Sequence, residues 1–146
     1  MNSFTSNVGP GDTRRLRILI ADDNHMVRKS VIAILQSHGQ WEVCGEAADG
    51  ADAIEKAKSL RPDVVLLDIS MPVKNGLEAA RTIRQAQPEA KILIVTLNDA
   101  AMTLPSAQAA GADGCVSKDR LATDLVAAIE ELEQEYVDGR PQPALG

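Results

Sequence analysis

Hydrophobic residues along this chain form five short continuous runs that alternate with segments of helical periodicity. The runs predict strands at 16–21, 41–47, 64–67, 91–95 and 114–117. Apolar residues at 3.6-residue spacing predict helices that contain residues 26–35, 51–60, 77–87 and 120–136. Strands that are apolar on both faces and alternate with helices are typical of a parallel sheet covered on both sides. We therefore predict an open, doubly wound α/β fold with five strands.

The helix before the fifth strand has the weakest pattern. Pro105 is unfavourable inside a helix, because it lacks an N–H and clashes with the preceding turn, but it suits the first turn. We therefore expect a short helix that begins near Leu104 and ends at Gly111, preceded by an irregular stretch from Asn98 to Thr103. Such a stretch would be a bistable element of a switch.

The predicted elements divide the chain into one domain and two flanking segments. Residues 1–14 are rich in Asn, Ser and Gly and predict a disordered leader, and residues 137–146, with two prolines, predict a linker or disordered tail. The single folded domain is expected at 15–136. The glutamates of the last helix, from Glu130 to Glu135, are expected to form a solvated face.

Composition narrows the classes of function. The 146 residues have a net charge of −6, which argues against binding to a phosphate backbone. They are 45% hydrophobic but only 2% aromatic, so the chain lacks the aromatic side chains on which the bases of a single strand stack. No apolar run reaches the ~20 residues of a membrane span, and no secretory signal is evident. A cytoplasmic protein without membrane contact is therefore expected. The sequence contains neither of the glycine-rich nucleotide-binding motifs GxxxxGK[ST] and GxGxxG, so ATP binding is not expected.

Polar residues follow the strands at the points where the strands end. Asp22 and Asp23 follow the first strand, and Asp68, Thr96 and Lys118 follow the third, fourth and fifth strands. Because the carboxyl ends of parallel strands meet at one edge, where such sheets bind ligands, we expect these five side chains to converge. Any one of them alone would be explained as a helix cap or a turn residue, with Asn24 a further candidate cap.

The predicted cluster suits phosphoryl chemistry. Three neighbouring carboxylates repel one another, and Mg²⁺ offsets this repulsion with the oxygen ligands that it prefers. A carboxylate also acts as a nucleophile and forms an aspartyl phosphate, while a lysine meets a phosphate oxygen. The leading interpretation is a phosphorylation-controlled switch.

Two alternatives remain open from the residues. An Mg²⁺-dependent phosphohydrolase would also use an aspartyl phosphate, although haloacid-dehalogenase-type enzymes place a second aspartate two residues after the nucleophile, where this chain has Ser70. A flavodoxin-like FMN carrier would need hydroxyl-rich phosphate loops and aromatic stackers, which the sequence lacks.

Four motifs together resemble the receiver domain of bacterial two-component response regulators. They are Ile20-Ala21-Asp22-Asp23, Leu66-Leu67-Asp68-Ile69-Ser70-Met71-Pro72, Ile94-Val95-Thr96 and Gly111-Ala112-Asp113-Gly114-Cys115-Val116-Ser117-Lys118. The segments Val43–Ala47, Asp49-Gly50 and Lys118-Asp119 are similar to those of the NarL/LuxR-type subfamily. The resemblance implies a CheY-like strand order 2-1-3-4-5 with five helices.

The resemblance also implies a role for each site residue. Asp68 would accept a phosphoryl group from a sensor histidine kinase, with Thr96 and Lys118 contacting that group. Mg²⁺ would be held by Asp23 directly, by Asp22 mainly through water, by Asp68 and by the backbone carbonyl of Ser70. Asn98 would flank the site with Ser70 and influence dephosphorylation.

The resemblance further implies partners and an output. The chain would be a switch and not a dedicated enzyme, with a homodimer through the face of the fourth helix, fifth strand and fifth helix. DNA would be bound only through an output domain outside this chain. Cys115 stands where the family usually has an aromatic residue that turns inward on activation, and Asp119 replaces its common proline after the lysine.

Overall fold

The computed structural model describes residues 15–137; the predicted leader at 1–14 and residues 138–146 of the predicted tail lie outside this part. The strands are β1 (Leu16–Ala21), β2 (Trp41–Ala47), β3 (Val64–Asp68), β4 (Lys91–Thr96) and β5 (Gly114–Ser117). The α-helices are α1 (His25–Gln36), α2 (Gly50–Leu60), α3 (Gly76–Ala86), α4 (Ala100–Ala109) and α5 (Leu121–Val137), with a short 3₁₀ turn at Lys118–Arg120.

The five strands form one parallel sheet in the order β2-β1-β3-β4-β5, which confirms the predicted fold and strand order. Asp68 pairs with Val95 and Thr96 pairs with Ser117, so the polar ends of β3, β4 and β5 lie side by side. Within residues 15–137, no helix is long and apolar enough to cross a bilayer.

Side chains on the two faces of the sheet form two hydrophobic clusters. Successive residues of a strand point to opposite faces, so Val65 and Leu67 pack in one cluster while Val64 and Leu66 pack in the other. The first cluster includes residues of α2, α3 and α4, and the second includes residues of α1 and α5. Every residue of β3 and β4 is buried, because helices cover both faces.

The prediction for the fourth helix was wrong. Helix α4 begins at Ala100, because the Asp99 side chain accepts the N–H of Ala101 at 2.8 Å and caps the first turn. Pro105 is the sixth residue of the helix and has no N–H for the carbonyl of Ala101. Both residues are exposed, so water can replace the missing hydrogen bond. The expected irregular stretch up to Thr103 is therefore mostly helical.

The expectation of a solvated glutamate face on α5 was also incomplete. Trp41 is buried and donates its indole N–H to the carboxylate of Glu133 at 3.1 Å. Its ring stacks on His38, whose Nε2 lies 3.6 Å from Glu130. Lys91 forms an ion pair with Glu135. Three glutamates of this run therefore fasten α5 to the body of the domain.

The loop from β3 to α3 passes close beneath the end of β3. Gly76 lies so near the Asp68 backbone that an added Cβ would come within 2.3 Å of the Asp68 carbonyl oxygen. In the same loop Val73 has a φ of +69°, and the N–H of Lys74 bonds to the carbonyl of Pro72 at 2.8 Å. This is a γ-turn centred on a β-branched residue, a strained arrangement. The Val73 side chain is exposed and loses nothing in packing if removed.

Replacing Val73 with glycine should stabilise the domain by about 1 kcal/mol, because glycine tolerates the positive φ at little steric cost. Urea unfolding of the wild type and of Val73→Gly would measure the change. The matched control is Val73→Ala, which removes the same exposed side chain but keeps a Cβ in the strained region. If the alanine variant gains as much stability as the glycine variant, backbone strain at this position is not the cause.

Candidate functional site

Three carboxylates meet at the carboxyl edge of the sheet. Oxygen atoms of Asp22, Asp23 and Asp68 all lie within 4.8 Å of one another. Asp22 and Asp68 are buried, whereas Asp23 is exposed to solvent. The convergence predicted for these three residues is therefore present, with one carboxylate open to solvent and two behind it.

Lys118 follows β5 and joins the carboxylates. Its ammonium nitrogen lies 3.1 Å from Asp22 Oδ2 and 3.2 Å from Asp68 Oδ1. The lysine side chain is largely enclosed, at 14% exposure, so these attractions are weakly screened. One cation thus bridges the two buried carboxylates.

The polar groups of Asp22 are held on three sides. Its N–H donates to the carbonyl of Ala47 at 3.0 Å, and its Oδ1 accepts the N–H of Asn24 at 2.8 Å. Its Oδ2 faces Lys118. Asn24 also caps α1, since its side chain accepts the N–H groups of Met26 and Val27. The capping role considered for the aspartates therefore belongs to Asn24. Within residues 15–137 the Asp23 carboxylate has no hydrogen-bond or ion-pair partner and can take an external ligand.

Burial and charge change the affinities of two site groups for protons. Burial, together with the neighbouring charge of Asp22, raises the pKa of Asp68 above its ordinary value, although Lys118 and the N–H of Ser70 oppose the change. Burial alone would lower the pKa of Lys118, but its hydrogen bonds and charge interactions with Asp22 and Asp68 outweigh this and raise it. Lys118 therefore stays protonated, while Asp68 carries an unfavourable charge.

The remaining predicted residues lie around this cluster with different exposure. Thr96 is fully buried at the end of β4, one residue beyond the pairing partner of Asp68, and its Oγ1 accepts the N–H of Asn98 at 3.1 Å. Ser70 is exposed two residues after Asp68, and its N–H bonds to the Asp68 carboxylate. The structure thus places Thr96 and Ser70 at the sheet edge that holds the carboxylates.

The donor set fits Mg²⁺. All three clustered side chains offer hard oxygen atoms, two of them buried and mutually repelling, with a single lysine to offset the charge. Burial and, after it, repulsion by Asp22 raise the pKa of Asp68, and an additional divalent cation would favour the charged form of this carboxylate.

An arginine that the sequence motifs did not predict also lies at the site. Arg28 of α1 donates from Nη1 to the backbone carbonyl of Asp22 at 2.6 Å and from Nε to Glu46 Oε1 at 2.9 Å. The available signal was positional: an arginine one turn into the helix that follows Asp22-Asp23 faces back towards that acidic loop.

Comparison with known proteins identifies a family in which this cluster of carboxylates and a lysine is expected. The sequence profile described as "Response regulator receiver domain" matches residues 18–130. This chain belongs to the response regulator receiver domain family. Its function is accordingly that of a phosphorylation-controlled signalling switch, and the match disfavours the phosphohydrolase alternative.

Individual relatives show the same type of protein. The chain is 38% identical over 114 residues to the transcriptional regulatory protein LnrK of Bacillus subtilis, covering 78% of this chain and 52% of that protein. Its structure is similar, with a TM-score of 0.77 and 34% identity, to a two-component response regulator of the LuxR family from Aurantimonas sp. SI85-9A1, covering 87% of this chain and 88% of the other. The receiver domain thus resembles those of LuxR/NarL-type regulators.

Another relative is an enzyme and not a transcriptional regulator. The chain is 46% identical over 84 residues to a protein-glutamate methylesterase/protein-glutamine glutaminase of Pyrococcus abyssi, covering 58% of this chain and 23% of that enzyme. The chain spans about half the length of the curated transcriptional regulators that it matches.

The raised pKa of Asp68 predicts a stability effect that depends on pH. A carboxyl whose pKa is higher when folded destabilises the fold at neutral pH, and this penalty fades as pH falls through the raised pKa towards the ordinary range near 4. In Mg²⁺-free buffer at pH 7, Asp68→Asn should raise the Tm by a few degrees, the usual size of a change of about 1 kcal/mol.

Thermal unfolding from pH 7 to pH 4 would test this, and the difference between variant and wild type should narrow towards the acidic end. Asp52→Asn is the control, because Asp52 is a partly exposed residue of α2 that pairs with Lys56, away from the cluster. A lower Tm for Asp68→Asn than for the wild type at pH 7 would contradict the expected penalty.

Proposed function

We propose that Asp68 is the residue of this receiver domain that accepts the phosphoryl group. The observation that carries the proposal is the position of the buried Asp68 carboxylate, 3.2 Å from Lys118 and within 4.8 Å of two further carboxylates. An Asp68 oxygen attacks the phosphorus of a phosphohistidine, and the phosphorus–nitrogen bond breaks with its electron pair passing to the imidazole. A sensor histidine kinase is the proposed donor, and a small acyl phosphate can replace it.

Mg²⁺ binding is proposed to depend mainly on Asp23. Its carboxylate is exposed, whereas both oxygens of Asp22 already accept hydrogen bonds or face Lys118. Asp22 would therefore contact the ion mainly through water, and Asp68 and the Ser70 carbonyl would complete the protein ligands. The ion supplies positive charge that offsets the carboxylate repulsion and the charge of the phosphoryl oxygens.

Lys118 and Thr96 are proposed to respond to the phosphoryl group. Lys118 exchanges an Asp68 carboxylate oxygen for a phosphoryl oxygen, which keeps its charge paired. The Thr96 hydroxyl accepts a hydrogen bond from Asn98, so a turn of this hydroxyl towards the phosphoryl group would release the start of the β4–α4 loop. Asn98 and Ser70 would flank the group and influence its hydrolysis.

The output is proposed to be transcriptional. Transcriptional regulators among the relatives match this chain over only about half of their own length, which leaves room for a DNA-binding domain outside this sequence. The chain itself acts as a switch that receives and loses a phosphoryl group, and not as a dedicated enzyme. The proposed location of this exchange is the cytoplasm, where ATP is available to the kinase that forms the phosphohistidine.

Incubation with acetyl phosphate and Mg²⁺ should add one labile phosphoryl group, measured as intact mass. Asp68→Asn should gain none, because an amide is not a nucleophile at this centre. Asp119→Asn is the matched control, since Asp119 is an exposed aspartate next to Lys118 outside the carboxylate cluster, and it should be labelled like the wild type. An Asp68→Asn protein that gains the same labile group would refute the assignment.

The α4–β5–α5 face is proposed to form the interface of a phosphorylated homodimer. Cys115 lines a groove of about 240 Å³ on this face, where its small side chain leaves space open to solvent between α4 and α5. The same patch on two copies can pair about a two-fold axis.

A beryllofluoride phosphoryl mimic should convert the monomer to a dimer by light scattering. Ala127→Arg, which fills the groove with a long side chain, should prevent this because the added bulk keeps two copies from packing closely on this face. The matched control is Ala122→Arg, an exposed alanine of the same helix that lines the groove against α1. If Ala122→Arg prevents the dimer and Ala127→Arg does not, the proposed interface is wrong and the contact lies on the opposite side of α5.

A further inference from the structure

The guanidinium of Arg28 lies against the backbone of the acidic loop. Its Nη1 donates to the Asp22 carbonyl oxygen at 2.6 Å, and its Nη2 lies 3.4 Å from Nδ1 of His25. Its Nε forms an ion pair with Glu46 at the end of β2, at 2.9 Å. The arginine side chain is only 15% exposed. One planar group therefore connects α1, β2 and the loop after β1.

The bond to the Asp22 carbonyl fixes the peptide that leads into Asp23. The N–H of Asp22 is already held by Ala47, and its carboxylate by Asn24 and Lys118. The carbonyl is the remaining polar group of that residue, and Arg28 holds it. Orientation of this peptide sets the direction in which the Asp23 side chain leaves the backbone, because the two residues share it.

The positive charge of Arg28 is paired with Glu46, which is not one of the clustered carboxylates. Glu46 neutralises the guanidinium, and the carbonyl of Glu46 in turn accepts a hydrogen bond from Lys56 of α2. The arginine thus contributes directed hydrogen bonds to the loop with little net repulsion of a cation. A lysine here would reach one acceptor at a time, since it lacks the planar fork.

We propose that Arg28 is a positioning residue for Mg²⁺: it holds the Asp22–Asp23 peptide so that the free Asp23 carboxylate points at the same space as Asp68. The inference rests on the proposed function of the carboxylate cluster. Residues that orient metal ligands typically change metal affinity by 10–100-fold when replaced. We therefore expect Arg28→Met to weaken Mg²⁺ binding about tenfold.

The direction of the change in Mg²⁺ affinity distinguishes lost orientation from changed charge. Removing a positive charge near a cation site would by Coulomb attraction alone tighten Mg²⁺ binding. A weaker affinity in Arg28→Met therefore reports lost orientation and not changed net charge. Arg28→Lys should recover part of the affinity, because an ammonium can still donate to the Asp22 carbonyl.

The test is an Mg²⁺ titration of each variant followed by amide chemical shifts in nuclear magnetic resonance, with Tm measured in parallel. Arg84→Met is the matched control: Arg84 is similarly enclosed, donates to the carbonyls of Ala90 and Gly111 and pairs with Asp113. Those groups lie at the amino ends of β4 and β5, away from the carboxylates. This control should lose stability but keep the wild-type Mg²⁺ affinity.

Two further measurements separate the outcomes. Asp23→Asn should abolish Mg²⁺ binding, and saturating Mg²⁺ should restore most of the acetyl phosphate labelling rate in Arg28→Met. An Mg²⁺ affinity in Arg28→Met within twofold of the wild type, or an equal loss in Arg84→Met, would overturn the positioning role. Failure of the wild type to bind Mg²⁺ would instead overturn the proposed function.

Discussion

Repulsion among three carboxylates at the edge of the sheet is the constraint on which the arrangement of this domain depends. Asp22 and Asp68 are both buried, and each would be expelled towards water or neutralised if left alone. Lys118 lies within 3.2 Å of both and holds them in place, but one ammonium does not balance two carboxylates and a third beside them. The domain therefore keeps a surplus of negative charge at one point, ready for a cation and a phosphoryl group.

The fold supports this surplus because its stability comes from elsewhere. Two aliphatic clusters cover the faces of the sheet, and β3 and β4 are buried along their whole length. Hydrophobic burial on this scale offsets a locally unfavourable site, although the penalty for one carboxylate still lowers a small net stability. Gly76 allows the chain to turn directly under Asp68, where any side chain would meet the Asp68 backbone. The strained Val73 turn lies in the same loop.

Contacts one step away from the carboxylates determine which oxygen is available. Asp22 is adjacent to Asp23 in sequence, yet its polar groups are all occupied, while the Asp23 carboxylate faces solvent. The difference between the two neighbours arises from Asn24, Arg28, Ala47 and Lys118, which come from four separate elements or loops. The proposed metal ligand Asp23 and its supporting neighbour Asp22 therefore have the same residue type and different roles.

Much of this domain is determined by local sequence. Continuous apolar runs between helical repeats predict a doubly wound parallel sheet, because only a sheet covered on both faces buries such strands. The positions of Asp22, Asp23, Asp68, Thr96 and Lys118 at strand ends then predict the site, since parallel strands end at a common edge. Both predictions depend on periodicity and chain direction, which a single sequence contains.

The start of α4 and several side-chain contacts were decided by the tertiary structure, because they depend on residues that are distant in sequence or on solvent exposure. Pro105 predicted a late start for α4, but the cap at Asp99 and the exposed position of the proline outweigh its local preference. The glutamates of α5 were expected to be solvated, yet Glu133 meets Trp41 across 92 positions of sequence. Arg28 reaches Glu46 only because β1 and β2 are adjacent. Pairings of this kind arise when packing brings side chains together, and no local pattern specifies them.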